Sequence, residues 1–299
     1  MLTVPWYIIL VLVILAIASC TIGAIAGFAG GVLMLPIFAL TLTHYGFELV
    51  DIIGSNAAGT IFTGLIATLL NIRRKEINWF LGIIFVIPIF AGNYLGVYIT
   101  TLISENAITT TFAILIIILA ILMFLKWRSQ KISQNSFVLQ SNDNIPENTT
   151  NKPSFFMKIN SMKPVIKIKV KEVIISINLF LLTIFGFVIG TISGLIGLGC
   201  GWAVPPLLIL LYNLPPPMVI STALFMTTLS LTVNGIIHIA YGHFSLWLWI
   251  LIASCSVVGG FFGTFLKKKF KARNLIIFIS STMIIISILL LVKTWTDFY

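Results

Sequence analysis

Charge is what this sequence has least of. Eighteen basic and eight acidic residues are spread over 299 positions, 9% of the chain, where a soluble domain carries about 25%. So few charges cannot wet the exterior of a soluble fold, and 59% hydrophobic residues exclude a disordered chain. An ordinary soluble enzyme is excluded with them. So is a nucleic-acid binder, despite a net charge of +10. Cysteine is scarce too. Cys20, Cys200 and Cys255 lie in apolar stretches at no metal-ligand spacing, so neither a disulfide framework nor a metal is expected, and no cofactor is. No Asp, Glu, Lys or Arg sits in the middle of an apolar run. A pump built on a carboxylate at mid-bilayer is therefore not expected.

What is present is apolar sequence in lengths that match a bilayer. About 20 residues of helix cross the hydrocarbon core. Runs of that size occupy 6–28, 52–72, 79–101, 107–126, 173–196, 218–241, 247–266 and 274–293. The first lacks a basic leader region and reads as a retained membrane segment. Shorter runs at 31–43 and 201–213 follow glycine clusters and read as halves of broken or re-entrant hairpins. The stretch 127–172 is rich in Asn, Ser, Lys and Gln and reads as a linker. It separates a first transmembrane repeat, 1–126, from a second, 173–299. Trp6, Trp79, Trp127 and Trp295 fall at segment ends, where aromatic belts form.

The two halves repeat one order of events. A long run reaches glycines (Gly23, Gly27, Gly30, Gly31; then Gly190, Gly194, Gly197, Gly199, Gly201). A short proline-bearing piece follows, with Pro36 in one half and Pro205 and Pro206 in the other. Then comes a helix with a polar triplet, Ser55-Asn56-Ala57 matched to Ser221-Thr222-Ala223. The next helix carries a small-xxx-small pair, Gly92/Gly96 or Gly259/Gly263, which lets helix backbones approach closely in lipid. Basic residues collect in cytoplasmic loops. They follow the polar-triplet helix in half one (73–75) but come one helix later in half two (267–273). Placing both basic loops and the linker in the cytoplasm inverts one repeat against the other. The expected fold is an all-α polytopic membrane protein of two inverted repeats. Each repeat has a glycine-rich broken hairpin and three spanning helices, eight full spans and up to ten helices in all.

Inverted repeats with broken helices are a recurrent transporter plan, with the site where the breaks meet. A half-helix starting after a glycine cluster presents free backbone N–H groups and a partial positive charge. Two of them would hold a small anion without lysine or arginine. Gly27, Gly30, Gly31, Gly197, Gly199 and Gly201 are the first substrate-site candidates, against a reading as tight turns or packing contacts. Ser55, Asn56, Ser221 and Thr222 come second, since hydroxyls and amides donate to anion oxygens but also bond neighbouring helices. Thr60, Asn93 and Asn234 are weaker. His238 is the best available proton carrier, against a reading as an interfacial histidine. Cys200 lies in the second cluster, where a helix N-terminus lowers a thiol pKa, or it is simply small.

Together these residues resemble the sulfite exporter TauE/SafE family of membrane permeases. The resemblance spans 6–126 and 173–293. It is carried best by Gly194-Leu-Ile-Gly-Leu-Gly-Cys-Gly-Trp-Ala-Val-Pro205, the Ser221-Thr222-Ala223 helix and the His238–Gly242 ending. The first cluster is about two residues shorter, and Cys200 stands where the family usually has glycine. The resemblance implies transport of sulfite, a sulfonate or a related organic anion without an ATPase domain. The expected protein is a multi-pass secondary transporter of the cell membrane, not an enzyme, working by alternating access. Its partners are the small anion and membrane lipid, with a homo-oligomer compatible and nucleic acid excluded. A channel-like facilitator, a membrane enzyme acting on a sulfur compound and a scaffold recruiting through the linker are the rival readings.

Overall fold

The computed structural model describes residues 4–102, 165–170, 173–212 and 214–269, with scattered positions in 110–121 and 274–288. In half one, α1 runs Trp6–Ala26, α2 Gly31–Leu42, α3 Leu49–Ile72 and α4 Trp79–Thr100. In half two, α5 runs Leu179–Ile196, α6 Val204–Tyr212, α7 Pro216–Ala240 and α8 Leu246–Lys267. A 3-10 turn, Thr43–Tyr45, follows α2, and another, Cys200–Trp202, precedes α6. Ahead of α5 lies an antiparallel hairpin, β1 Val165–Val170 with β2 Val173–Asn178, in the register Val170↔Val173 to Val165↔Asn178.

Six of these helices, α1, α3, α4, α5, α7 and α8, are long and apolar enough to cross a membrane. The chain is a multi-pass α-helical membrane protein. Eight full spans were expected; six are described, and 107–126 and 274–293 lie largely outside the described residues. One boundary is corrected. The run 173–196 is not one helix, because Val173–Asn178 is strand. Asn178 ends the strand and caps α5, its Oδ1 accepting from the N–H groups of Phe180 (2.9 Å) and Leu181 (3.2 Å). Such caps satisfy donors that a helix start leaves unpaired. Val-Ile-Ile and Leu-Phe-Leu look alike to an apolar-run search, and only the Asn between them marks the change.

The interior is an apolar core with polar side chains set into it. Ser55, Asn56, Thr60, Thr63, Ser221, Thr222, Thr227, Ser230, Asn234 and His238 are all buried, while Ile83, Ile87, Phe261 and Phe262 face outward. Lipid solvates the outer face and cannot solvate the inner one, so hydrogen-bonding groups collect between helices.

Packing crosses between halves. The main helix contacts are α4 with α5, α3 with α8, α1 with α8, α3 with α7 and α4 with α7. Thus the first helix of each half lies on the fourth helix of the other. Along α4 and α5 the touching positions rise together, Ile89 on Gly190 and Asn93 on Gly194. The same holds for α1 and α8 (Cys20 with Gly259, Ala24 with Gly263) and for α3 and α8 (Gly59 with Ile252, Thr63 with Gly260). It holds for α4 and α7 as well, with Gly82 on Phe225 and Asn93 on Ser230. Along α3 and α7 they run opposite, Gly54 on His238, Ala58 on Gly235 and Gly64 on Thr228. Helices α1, α3 and α8 therefore point one way and α4, α5 and α7 the other.

The small-xxx-small pairs make this crossing possible. A Cβ on Gly96 would strike the Thr191 carbonyl oxygen, and one on Gly263 the Thr21 carbonyl oxygen. Backbone cannot yield as a flexible side chain can. Gly96→Leu is expected to cost about 1–3 kcal/mol or more of stability, read as a lower thermal unfolding midpoint in detergent. Gly46→Ala has open space around the new methyl but a φ of +84°, so only the left-handed strain of about 1–2 kcal/mol applies. A Gly96→Leu midpoint at or above that of Gly46→Ala would contradict the close approach.

Candidate functional site

Both first helices end in the same way. α1 stops at Gly27 (φ 103°) and α5 at Gly197 (φ 66°). In each, the glycine N–H and the next one bond back to one carbonyl, Gly23 in half one and Ser193 in half two. Left-handed backbone at a helix end is where glycine is favoured. Half one then turns through Gly30 (φ 90°) straight into α2. Half two inserts the 3-10 turn Cys200–Trp202 before α6, which is where its longer glycine cluster goes. The Trp202 indole N–H donates to Ser193 Oγ (3.0 Å) and pins that turn to the end of α5.

The two breaks meet. A Cβ on Gly201 would lie 2.5 Å from Phe28 Cα and 2.8 Å from the Gly27 carbonyl oxygen. Gly27, Gly30, Gly31, Gly197, Gly199, Cys200 and Gly201 are all buried. Asn56 stands against Gly31, its amide nitrogen 3.5 Å from the Gly31 carbonyl oxygen. Thr60 lies beside it and donates to the Asn56 carbonyl (2.7 Å). Across the junction Thr227 borders Gly199 and Gly201, with its hydroxyl 3.8 Å from Cys200 Sγ. Asn56 Oδ1 has no hydrogen-bond partner, and neither do Asn93 Oδ1 and Asn234 Oδ1. Buried amide oxygens left open in this way call for a hydrogen-bond donor, such as a water, in that region.

The expectation of two equal anion-binding helix starts needs correction. α2 begins Gly31-Val32 and offers backbone donors. α6 begins Val204-Pro205-Pro206, and proline has no N–H. The donor-rich helix start is α2; that of α6 is mostly lost. Cys200, expected at a helix N-terminus, heads the short 3-10 turn instead.

The structure sends Ser55, Ser221 and Thr222 away from the glycine junction. Ser55 Oγ accepts from the Ser245 N–H (2.9 Å), at the start of α8. Thr222 Oγ1 accepts from the Asn78 N–H (3.0 Å), at the start of α4. Each hydroxyl steadies the start of the other half's fourth helix. Ser55 and Thr222 are 167 positions apart (222 less 55), as are Asn78 and Ser245 (245 less 78). Gly92 with Gly259 and Gly96 with Gly263 keep the same offset. The repeat register therefore pairs Ser55 with Thr222, one residue away from the triplet match. Ser221 then corresponds to Gly54. His238 is buried, with Nε2 3.3 Å from the Gly194 carbonyl oxygen and Nδ1 3.4 Å from His243 Nδ1.

Ser221 belongs to a cluster at the basic end of the molecule. The Lys267 ammonium, 4% exposed, donates to Glu76 Oε2 (2.7 Å), Ser221 Oγ (2.6 Å) and the Pro217 carbonyl (3.3 Å). Ser221 Oγ is itself 2.7 Å from Glu76 Oε2 and 2.8 Å from the Pro217 carbonyl oxygen. Arg74 donates to the Thr264 carbonyl from both terminal nitrogens (3.3 and 3.4 Å). Sequence reasoning missed Glu76 and Lys267 as site residues because it took both for loop charge. Two signals were available: Glu76 is the one acid in the Arg73–Glu76 run, and Lys267 is the last residue of an apolar helix.

Taken together, polar side chains buried between crossed halves and two broken helices meeting at mid-structure define a membrane transport protein rather than a packed anchor. The family described as Sulfite exporter TauE/SafE matches residues 11–290, and the chain belongs to that family. It is also similar to a probable membrane transporter protein, YunE, of Bacillus subtilis (strain 168). The two are 25% identical over 283 residues, 92% of this chain and 94% of the relative. No solved structure matches significantly. The chain is thus a membrane transporter.

Glu76 sits in the loop between α3 and α4. Partial burial works to raise its carboxyl pKa, but the hydrogen bond and charge of Lys267 outweigh that. Ser221 and Arg74 add to them, and the group is held below its ordinary 4.5. A lowered carboxyl contributes stability above the unfolded value and loses it as pH falls through the folded one. The unfolding midpoint is expected to drop on acidification below about pH 4.5. Glu76→Gln should flatten that dependence. Near pH 7 it should cost about 3 kcal/mol, because it leaves the Lys267 ammonium, 4% exposed, without its counter-charge. Unchanged acid sensitivity in the variant would refute the assignment.

Proposed function

We propose that this chain is a secondary transporter that moves a small anion across the cell membrane by alternating access between two inverted repeats. The observation that carries the reading is the meeting of the glycine breaks, Gly27–Phe28 of one half against Gly201 of the other. A site there belongs to both halves and changes shape when they move. Inversion is supported by helix direction. α1 and α5 occupy matching places and point opposite ways, as do α3 with α7 and α4 with α8. Both basic segments, 73–75 and 267–269, fall on the side of the Glu76–Lys267 pair, which the positive-inside rule places in the cytoplasm with the linker 127–172.

Anion preference is supported by the α2 helix start beside Asn56. Sulfite, a sulfonate or a related organic anion is the substrate class the family description supports. A methyl group on Gly201 would strike Phe28 Cα and the Gly27 carbonyl oxygen, so a substrate site at this contact requires the halves to part there. A membrane enzyme working through Cys200 or His238 draws no support from the family.

Proteoliposomes loaded with the purified protein should take up labelled sulfite saturably and show counterflow. Gly201→Ala places a methyl against Phe28 and should reduce the rate at least about tenfold, equivalent to 1.4 kcal/mol on the closing step. Counterflow without saturation, or uptake untouched by Gly201→Ala, would remove the carrier at this junction.

His238 is the proposed proton-coupling residue, since its ring joins the Gly194 backbone to the less buried His243. If so, an imposed pH gradient accelerates uptake in the wild type, and His238→Gln retains downhill exchange but loses the response to the gradient. A full response in the variant would leave His238 a structural residue.

A further inference from the structure

The Glu76–Lys267 pair has a feature that an ordinary surface salt bridge lacks: the cation is the buried partner. The Lys267 side chain is 4% exposed and that of Glu76 30%. Lys267 is held in place by two groups other than the carboxylate, Ser221 Oγ and the Pro217 carbonyl. Pro217 and Ser221 lie in the first turns of α7, whose opening prolines supply no N–H groups, so the donors here are the Lys267 ammonium and the Ser221 hydroxyl. Arg74, in the same loop as Glu76, adds a second positive charge alongside. Lys267 and Ser221 come from helices. The carboxylate comes from a short loop, residues 73–78, between two helices.

From this geometry we infer a binding site for a small oxyanion, formed by the Lys267 ammonium and the Ser221 hydroxyl, in which the Glu76 carboxylate is a tethered and displaceable occupant. Glu76 Oε2 makes the contacts that an oxygen of sulfite, a sulfonate or a carboxylate would make. It accepts from an ammonium at 2.7 Å and lies 2.7 Å from a hydroxyl able to donate to it. Such charge-assisted contacts are the strong class of hydrogen bond. An incoming oxyanion that takes this place removes the Glu76 tie between the halves and leaves two others in the same loop, Arg74 on the Thr264 carbonyl and the Asn78 N–H on Thr222. The ligand therefore loosens the basic face without opening it.

The inference rests on the anion-transport reading and deepens it, placing a second anion station beside the first turns of α7, where the neighbouring Ile220 packs on Gly27. The test is binding, separate from flux. The full chain in detergent is titrated with sulfite, sulfate and acetate, with chloride at matched ionic strength, and its thermal unfolding midpoint is recorded. Wild type should respond weakly, because Glu76 competes. Glu76→Gln should start with a lower midpoint and recover it with sulfite at a concentration at least about tenfold lower than wild type requires. Chloride should not substitute. Glu76→Gln/Lys267→Met should lose the response; if that variant does not fold, Glu76→Gln/Ser221→Ala should show a weaker one. Wild type and Glu76→Gln responding alike would overturn the inference, as would a response that survives loss of Lys267. Rescue by added anionic lipid but not by free sulfite would overturn it in favour of a headgroup phosphate. Sulfite uptake by wild-type proteoliposomes with no rescue in Glu76→Gln sinks this site alone. Rescue without uptake of any anion sinks the transport reading and keeps the site.

Discussion

Everything in this molecule depends on helix backbones touching where glycine removes the side chain. In lipid there is no hydrophobic force to press one helix on another, because the tails are as apolar as leucine. Close packing has to supply the attraction, and it grows as the backbones approach. Gly92 and Gly96 give α4 a groove that accepts Gly190 and Gly194 of α5, and Gly259 and Gly263 let α8 lie on α1 in the same way. Since each contact joins a fourth helix to the first helix of the other half, neither half encloses its own polar residues. The crossing builds the interior.

Several smaller features follow from that crossing. A fourth helix that packs on the opposite half must be started in the right place, and a hydroxyl from that half does it: Ser55 for α8, Thr222 for α4. The loops leading into these helices, 73–78 and 241–245, are held against the opposite half for the same reason. Their backbones match, with the Glu76 N–H on the Asn71 carbonyl and the His243 N–H on the His238 carbonyl. The glycine breaks are then left facing each other at the centre.

Much of this was legible in the residues. Six membrane spans and the two glycine breaks follow from run length and glycine clusters. The small-xxx-small pairs were legible as packing sites, though not which helix each would meet, since a period-four glycine pattern carries no address. The strand Val173–Asn178 was hidden inside an apolar run. The register of the repeat was misjudged by one position because Ser-Asn-Ala and Ser-Thr-Ala look alike. The hydrogen bonds of Ser55 and Thr222 decide it. Ser221, a substrate candidate by composition, is set beside Lys267 by a contact across 46 positions of chain. No local pattern encodes that. The loss of donors at the start of α6 was legible in Pro205 and Pro206 and follows from the chemistry of proline alone.

The two loop contacts share a backbone plan and differ in chemistry, and the difference bears on how the halves are held. At the basic face the corresponding positions are Glu76, Asn71, Ser221 and Lys267. At the opposite face they are His243, His238, Gly54 and Thr100. One face is fastened by charge, with a lysine drawn from the membrane boundary into a polar pocket. The other is fastened by close backbone contact, Gly54 against the His243 carbonyl, and by neutral hydrogen bonds such as Thr100 to the Leu195 carbonyl (3.1 Å). An ion pair responds to pH through its carboxylate and, being partly buried, only weakly to salt, whereas a glycine contact responds to neither. The two faces are therefore held by different forces, charge on one and close packing on the other.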